Sequence, residues 1–209
     1  MSNNIIRNII KRKGRNIMSN IIRKTTELAM YIMSNYTFPG CVIIDATCGN
    51  GHDTLQLAKT KPHKLYGFDI QQQAVTNTEQ LLMEEGFGDD LKNGTISIIC
   101  DSHINMSRYV NEEADIIVFN LGYLPGGDKS FVTERNNTRT AIITSLDMLA
   151  KDGIICITMY SGHKEGFLEK EMLLEMTKEL DPKLYHTAYI SFPNQKNSPP
   201  EILLITKKK

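Results

Sequence analysis

Apolar positions in this chain come in short runs separated by polar, glycine-marked turns. Val42-Ile43-Ile44 is one such run, and Ile98-Ile99-Cys100 and Ile116-Ile117-Val118-Phe119 are others. Short apolar runs bounded by turn residues read as strands buried on both faces, the signature of a parallel sheet. Strands are expected near 41–45, 64–69, 95–100, 114–120, 153–159, 184–190 and 201–206. Between them the apolar spacing changes to a helical period, and helices are expected near 20–35, 53–60, 71–85, 103–110, 134–150 and 165–179. Strands that alternate with helices make a parallel sheet with right-handed crossovers and helices on both faces. The last two strands have only the polar link Ser191 to Pro200 between them, so they form a hairpin and add an antiparallel strand. The expected fold is α/β and Rossmann-like, with a seven-stranded, mostly parallel sheet.

Length and charge change this picture little. The 209 residues suit one domain, expected over 20–209, preceded by a basic extension over 1–19. The formal net charge is zero, but no acid precedes Glu27, whereas Arg7, Lys11, Arg12, Lys13, Arg15, Arg23 and Lys24 do, and the chain ends Lys207-Lys208-Lys209. Basic ends on a neutral domain suit a nucleic-acid or phosphate partner, and equally a solvated tail. Met18-Ser19-Asn20-Ile21-Ile22-Arg23 partly echoes the first residues, so Met18 is an alternative start. The cysteines Cys41, Cys48, Cys100 and Cys156 lack metal-ligand spacing and read as small core fillers. No metal is expected. No run is long enough to cross a membrane and no signal-peptide core is present, which leaves a cytoplasmic enzyme as the expectation.

In an open α/β sheet the ligand lies beyond the carboxyl ends of the strands, so those ends carry the chemistry. The first strand runs into Asp45-Ala46-Thr47-Cys48-Gly49-Asn50-Gly51-His52-Asp53-Thr54. Gly49 and Gly51 fit the start of a dinucleotide fingerprint, but Thr54 stands at its third glycine. Asp53 can cap the helix that follows. The second strand ends at Asp69, followed by Ile70-Gln71, and Asp69 is placed to take ribose hydroxyls. The third ends Asp101-Ser102-His103, where a carboxylate can accept from an adenine amine. An acid, Gly-x-Gly, then an acid after the second strand is the pattern of methyltransferases that use S-adenosylmethionine (SAM). The cofactor candidates are therefore Asp45, Thr47, Gly49, Asn50, Gly51, Asp53, Thr54, Asp69, Ile70, Gln71, Asp101, Ser102, His103 and Asn120.

The fourth strand runs into Asn120-Leu121-Gly122-Tyr123-Leu124-Pro125-Gly126-Gly127-Asp128-Lys129, facing the methyl donor. An Asn carbonyl there can accept from an amine, and Tyr123 can stack on a base. The segment is similar to the Asn-Pro-Pro-Tyr tetrad of amino-methylating enzymes, with Leu121-Gly122 in place of the prolines. The fifth strand ends Tyr160-Ser161-Gly162-His163, where His163 can position substrate or shuttle a proton.

With these segments and Phe192-Pro193-Asn194-Gln195-Lys196-Asn197 assembled, residues 20–209 resemble a small bacterial family labelled "putative rRNA methylase". Its members are class I SAM methyltransferases related to enzymes acting on the tRNA wobble uridine. Residues 1–17 fall outside the resemblance, and Thr206-Lys207 departs from the usual Glu before the final Lys. The resemblance implies SAM as cofactor and N-methylation of the aminomethyl group of 5-aminomethyl-(2-thio)uridine. It implies tRNA, through its anticodon stem-loop, as partner, with a homodimer left open. It makes Asn120 and Asp128 candidate proton acceptors, with His163 a further one, and has Tyr123, Tyr160, Asn194 and Gln195 hold the flipped base beside Leu121 and Gly122. Lys129, Arg135 and Arg139 would meet backbone phosphates. The alternatives are ribosomal RNA or a small-molecule amine as substrate, an NAD(P)-dependent oxidoreductase, and a non-catalytic SAM- or RNA-binding module.

Overall fold

The computed structural model describes residues 24–122 and 135–208. The basic extension and the start of the helix expected from residue 20 lie outside the described residues, as do Tyr123, Asp128, Lys129 and the side chain of Arg135.

Seven strands form one sheet in the order β3-β2-β1-β4-β5-β7-β6. They are β1 (Val42–Asp45), β2 (Lys64–Asp69), β3 (Ile96–Cys100), β4 (Ala114–Leu121), β5 (Leu149–Met159), β6 (Tyr185–Ile190) and β7 (Glu201–Lys207). β1 pairs in parallel with β2 and with β4, so the chain reverses its winding at β1 and opens a crevice between β1 and β4. β7 runs antiparallel to both β5 and β6, as the polar link predicts. The helices are α1 (Thr25–Ser34), α2 (His52–Ala58), α3 (Gln72–Glu84), α4 (Gly88–Lys92), α5 (Arg135–Met148) and α6 (Lys164–Lys178), with a 3₁₀ segment at His103–Arg108.

The period of two along each strand divides the core between two layers. On β4 and β5, Ile117, Phe119, Ile155 and Ile157 pack on one face with α5 and α6 residues such as Ile142 and Leu173. Ile116, Val118, Ile154 and Cys156 pack on the other with Met33 and Leu57. Both faces of the central strands are thus covered, which fixes their register.

Three boundaries differ from expectation. β5 begins at Leu149 rather than near 153, directly after α5. Its pairing jumps from Ala114↔Leu149 to Ile116↔Ile154, so the added residues bulge. Asp152 has φ 62°, and a Cβ on Gly153 would sit 3.0 Å from the Asp115 carbonyl oxygen. The Asp-Gly pair reads as a turn in sequence and here makes a bulge within a strand. The segment after Asp101 is a 3₁₀ turn of six residues rather than an α-helix, and α4 is an additional helix built on Gly88-Asp89-Asp90. No helix among the described residues is long and apolar enough to cross a membrane.

Candidate active site

The turn after β1 is held from beneath. Asp45 is buried, accepting from the Thr54 hydroxyl at 2.6 Å and the Thr47 N–H at 3.2 Å. Burial pushes its pKa up to about 7 against those hydrogen bonds. Thr54 is itself fully buried and spends its hydroxyl on Asp45, so both residues shape the turn from the core side. Gly51 has φ 82°, and a Cβ there would lie 2.9 Å from Thr78 Cα. The Thr78 hydroxyl in turn donates to the Gly49 carbonyl at 3.0 Å. Glycine is required at Gly51 by both conformation and the closeness of α3. Asn50 accepts from Asn77, also on α3, at 3.0 Å.

The neighbouring strand ends present two more carboxylates, kept close by the Asp69↔Cys100 register. Asp69 accepts from the Gly49 N–H at 3.1 Å and the Gln71 N–H at 2.9 Å, and burial raises its pKa. Asp101 is braced by the Asn105 amide and the Ser102 N–H on one oxygen and by the Tyr109 hydroxyl on the other. The Asn105 bond leads in holding its pKa below the usual carboxylate range. Ile70 lies exposed beside Asp69, giving an apolar surface next to two acceptors. A bare glycine turn, an acid after β2, an apolar side chain and an acid after β3 fit a nucleoside with its ribose on Asp69 and its base amine on Asp101.

Across the crevice stands Asn120, the penultimate residue of β4. Its N–H donates to the Thr47 hydroxyl at 2.7 Å, tying the end of β4 to the turn after β1. Its side-chain amide donates to Asp53 Oδ2 at 3.1 Å. A carboxylate only accepts, so the amide nitrogen must face Asp53 and the carbonyl oxygen is left as the acceptor. Burial raises the pKa of Asp53, opposed by the Asn120 bond. Burial also raises that of Tyr160, with the Asp53 charge adding to it. A Cβ on Gly122 would lie 3.2 Å from the Tyr160 ring, so this glycine makes room for it.

Several expected site residues occupy other positions. Leu121 is buried in the core, paired with Met159. Asp53 lies in the first turn of α2, whose N-cap is Gly51, and bonds Asn120 instead of capping. His103 is buried edge-on to Phe119, where burial lowers its pKa and favours the neutral ring. His163 is the N-cap of α6, its Nδ1 accepting from the Gly166 N–H at 3.1 Å. His163 thereby holds the start of α6 against the β5 loop. Asn194 and Gln195 lie exposed on the β6–β7 loop, bonded to each other. That loop reaches the β5 loop where Ser198 O lies 3.9 Å from a Cβ placed on Gly162. Arg139 is exposed on α5. Among the described residues no group of three His, Cys, Asp or Glu side chains could hold a metal ion.

The bracing residues Thr78, Asn105, Tyr109 and Gly166 are new to the site. Asn105 and Tyr109 had a signal, the helix-like spacing of four and eight residues from Asp101. Gly166 had none, yet a Cβ there would lie 2.0 Å from the Tyr160 carbonyl oxygen.

Comparison with known proteins agrees with this geometry. The family described as "Putative rRNA methylase" matches residues 65–206. A crystal structure of a protein of that description from Clostridium thermocellum is 35% identical, with a TM-score of 0.82 over 88% of this chain and 97% of its own. A methyltransferase from Streptococcus mutans, solved in complex with S-adenosylhomocysteine (SAH), is 34% identical, with a TM-score of 0.77 over 87% and 97%. The chloroplastic tRNA (mnm(5)s(2)U34)-methyltransferase of Arabidopsis thaliana is 35% identical over 72% of this chain, which spans 58% of that relative's length. The chain belongs to the "Putative rRNA methylase" family and is a class I methyltransferase whose cofactor is SAM.

Proposed function

We propose that this methyltransferase acts on RNA and N-methylates the aminomethyl group of 5-aminomethyl-(2-thio)uridine at the tRNA wobble position. The observation that carries this reading is the orientation of Asn120. Its amide nitrogen donates to Asp53, and its carbonyl oxygen is left to accept from an amine beside the cofactor turn. The name of the Arabidopsis relative supports the choice of substrate.

The glycine turn, Asp69 and Asp101 would hold SAM. When bound, SAM supplies an electrophilic methyl group, whose new bond to nitrogen forms as its bond to sulfur breaks and sulfur keeps the electron pair. The work left to the chain is to present the amine uncharged and in line. An alkylamine with an ordinary pKa of about 10 is mostly protonated near neutrality, and only its free lone pair can attack. The Asn120 carbonyl accepts an N–H and orients that lone pair, while Tyr160 packs beside the base. Alignment of this kind can supply a large part of a rate enhancement.

The test is incubation with SAM and tRNA carrying 5-aminomethyl-2-thiouridine, followed by mass spectrometry of the nucleosides. A gain of one methyl on that nucleoside supports the reading. Methylation of ribosomal RNA or of a free amine instead would overturn the substrate and leave the fold and cofactor standing.

A further inference from the structure

Among the described residues four carboxylates gather around the crevice, and they differ in how their oxygens are used. Asp45 has donors on both, from Thr47 and Thr54. Asp69 has donors on both, from Gln71 and Gly49. Asp101 has donors on both, from Asn105, Ser102 and Tyr109. Asp53 has one donor, Asn120, on Oδ2, and among the described residues nothing donates to Oδ1. No lysine or arginine forms an ion pair with Asp53 among those residues either. Yet Asp53 is partly buried, and a carboxylate taken from water needs compensation.

We infer that Asp53 is a catalytic residue, binding the substrate ammonium group through Oδ1 and taking its proton. This deepens the reading above and rests on it. Oδ1 of Asp53 and the carbonyl of Asn120 belong to side chains already joined at 3.1 Å, so one small cationic head can meet both. An alkylammonium offers the hydrogens such a pair requires, whereas a neutral amide or ring nitrogen cannot use the charge. The step balances simply: one N–H bond breaks, its electron pair stays on nitrogen as the attacking lone pair, and the proton forms an O–H bond on Asp53. Two influences assist the transfer. Burial of Asp53 favours its protonated form, and the positive charge of the methyl donor disfavours an ammonium beside it. Asp53 discharges the proton to solvent once product leaves.

The competing role is contact with the cationic end of the methyl donor, and binding separates the two. Asp53→Asn keeps the shape and the bond to Asn120 by turning its carbonyl to the amide. SAH binding by calorimetry is expected to stay within about threefold of wild type. Turnover of tRNA carrying 5-aminomethyl-2-thiouridine at saturating SAM is expected to fall about 100- to 1,000-fold, the usual weight of a positioned base. The KM for that tRNA is expected to rise, because the ammonium loses its anion. A circular dichroism melt unchanged within a few degrees checks that the variant folds, and Asp53→Glu is expected to recover part of the turnover. The inference is overturned if SAH affinity falls as far as turnover does, or if the Asn variant turns over normally. If the wild-type protein leaves this tRNA unmethylated while methylating another substrate, the functional reading fails first.

Discussion

The Asn120 amide has a donor end and an acceptor end, and Asp53 takes the donor end. Asn120→Ala therefore removes the acceptor that the proposed function gives to the substrate amine, while leaving the cofactor turn backed by Thr78 and Asp45. Turnover is expected to drop about 100-fold, the weight of one well-placed polar group in an active site. SAH binding by calorimetry is expected to change by less than about threefold, since the ribose and base acceptors proposed above are Asp69 and Asp101. At this scale the sequence is legible wherever a residue ends a strand, because the strand's direction brings it to the crevice. The placement of Asp69, Asp101 and Asn120 at strand ends was readable that way. The bond of Asp53 to Asn120 was not, because it joins residues 67 positions apart and exists only once β1 and β4 are paired. Leu121 was assigned to substrate by adjacency, although the alternation that leaves Asn120 accessible turns the next residue into the core.

The loop after β5 shows how elements hold residues in place. Tyr160 is presented because α6 starts hard against its backbone, with His163 capping the helix and Gly166 permitting the approach. Thr138 on α5 donates to Glu169 on α6 at 2.6 Å, which fixes the helix sideways. Glu201, opening β7, pairs with Lys170 of α6 at 3.1 Å and accepts from Tyr189 of β6. Gly166→Ala is therefore expected to push α6 off the loop, costing about 3 kcal/mol in a urea melt, at the upper end of overpacking. The same variant is expected to lose turnover beyond what its unfolded fraction explains, since Tyr160 moves with the carbonyl that the new methyl displaces. Element type was legible nearly throughout, because strand runs and helical periods are distinct here. The start of β5 was hidden by Asp152-Gly153, a pair that signals a turn locally and becomes a bulge once Ile116 and Ile154 pair. Such a choice is made by the partner strand, which the local pattern does not contain.

For the molecule as a whole, ligand binding and proton binding both feed into stability. SAH at 100 times its dissociation constant is expected to add about 2.7 kcal/mol by mass action. For a chain of this size that is a thermal shift of about 5–10 °C. If Asp69 holds the ribose as proposed, Asp69→Ala removes two charge-assisted contacts, and at the same SAH concentration its shift is expected to shrink to about 1 °C in a melting assay. Protons act through Asp45, buried at the base of the same turn. Its pKa is about 7 in the folded chain and about 3.9 in an unfolded one. Between those values the folded chain holds a proton that the unfolded chain has released. Raising the pH through this window therefore withdraws stability, which is fully present below about pH 4 and lost by about pH 7. The amount is on the order of 4 kcal/mol. Asp53 and Asp69, also raised by burial, act in the same direction, while Asp101, lowered by its hydrogen bonds, opposes them. Those contributions are common to wild type and Asp45→Asn, so the difference between the two isolates Asp45 to the extent that the sites act independently. Denaturant melts at a series of pH values from 4 to 8 are expected to show the variant gaining on wild type as the pH rises. Parallel curves would mean that Thr47 and Thr54 hold the Asp45 carboxylate ionised at its ordinary pKa, and that the turn carries a full negative charge beneath the cofactor.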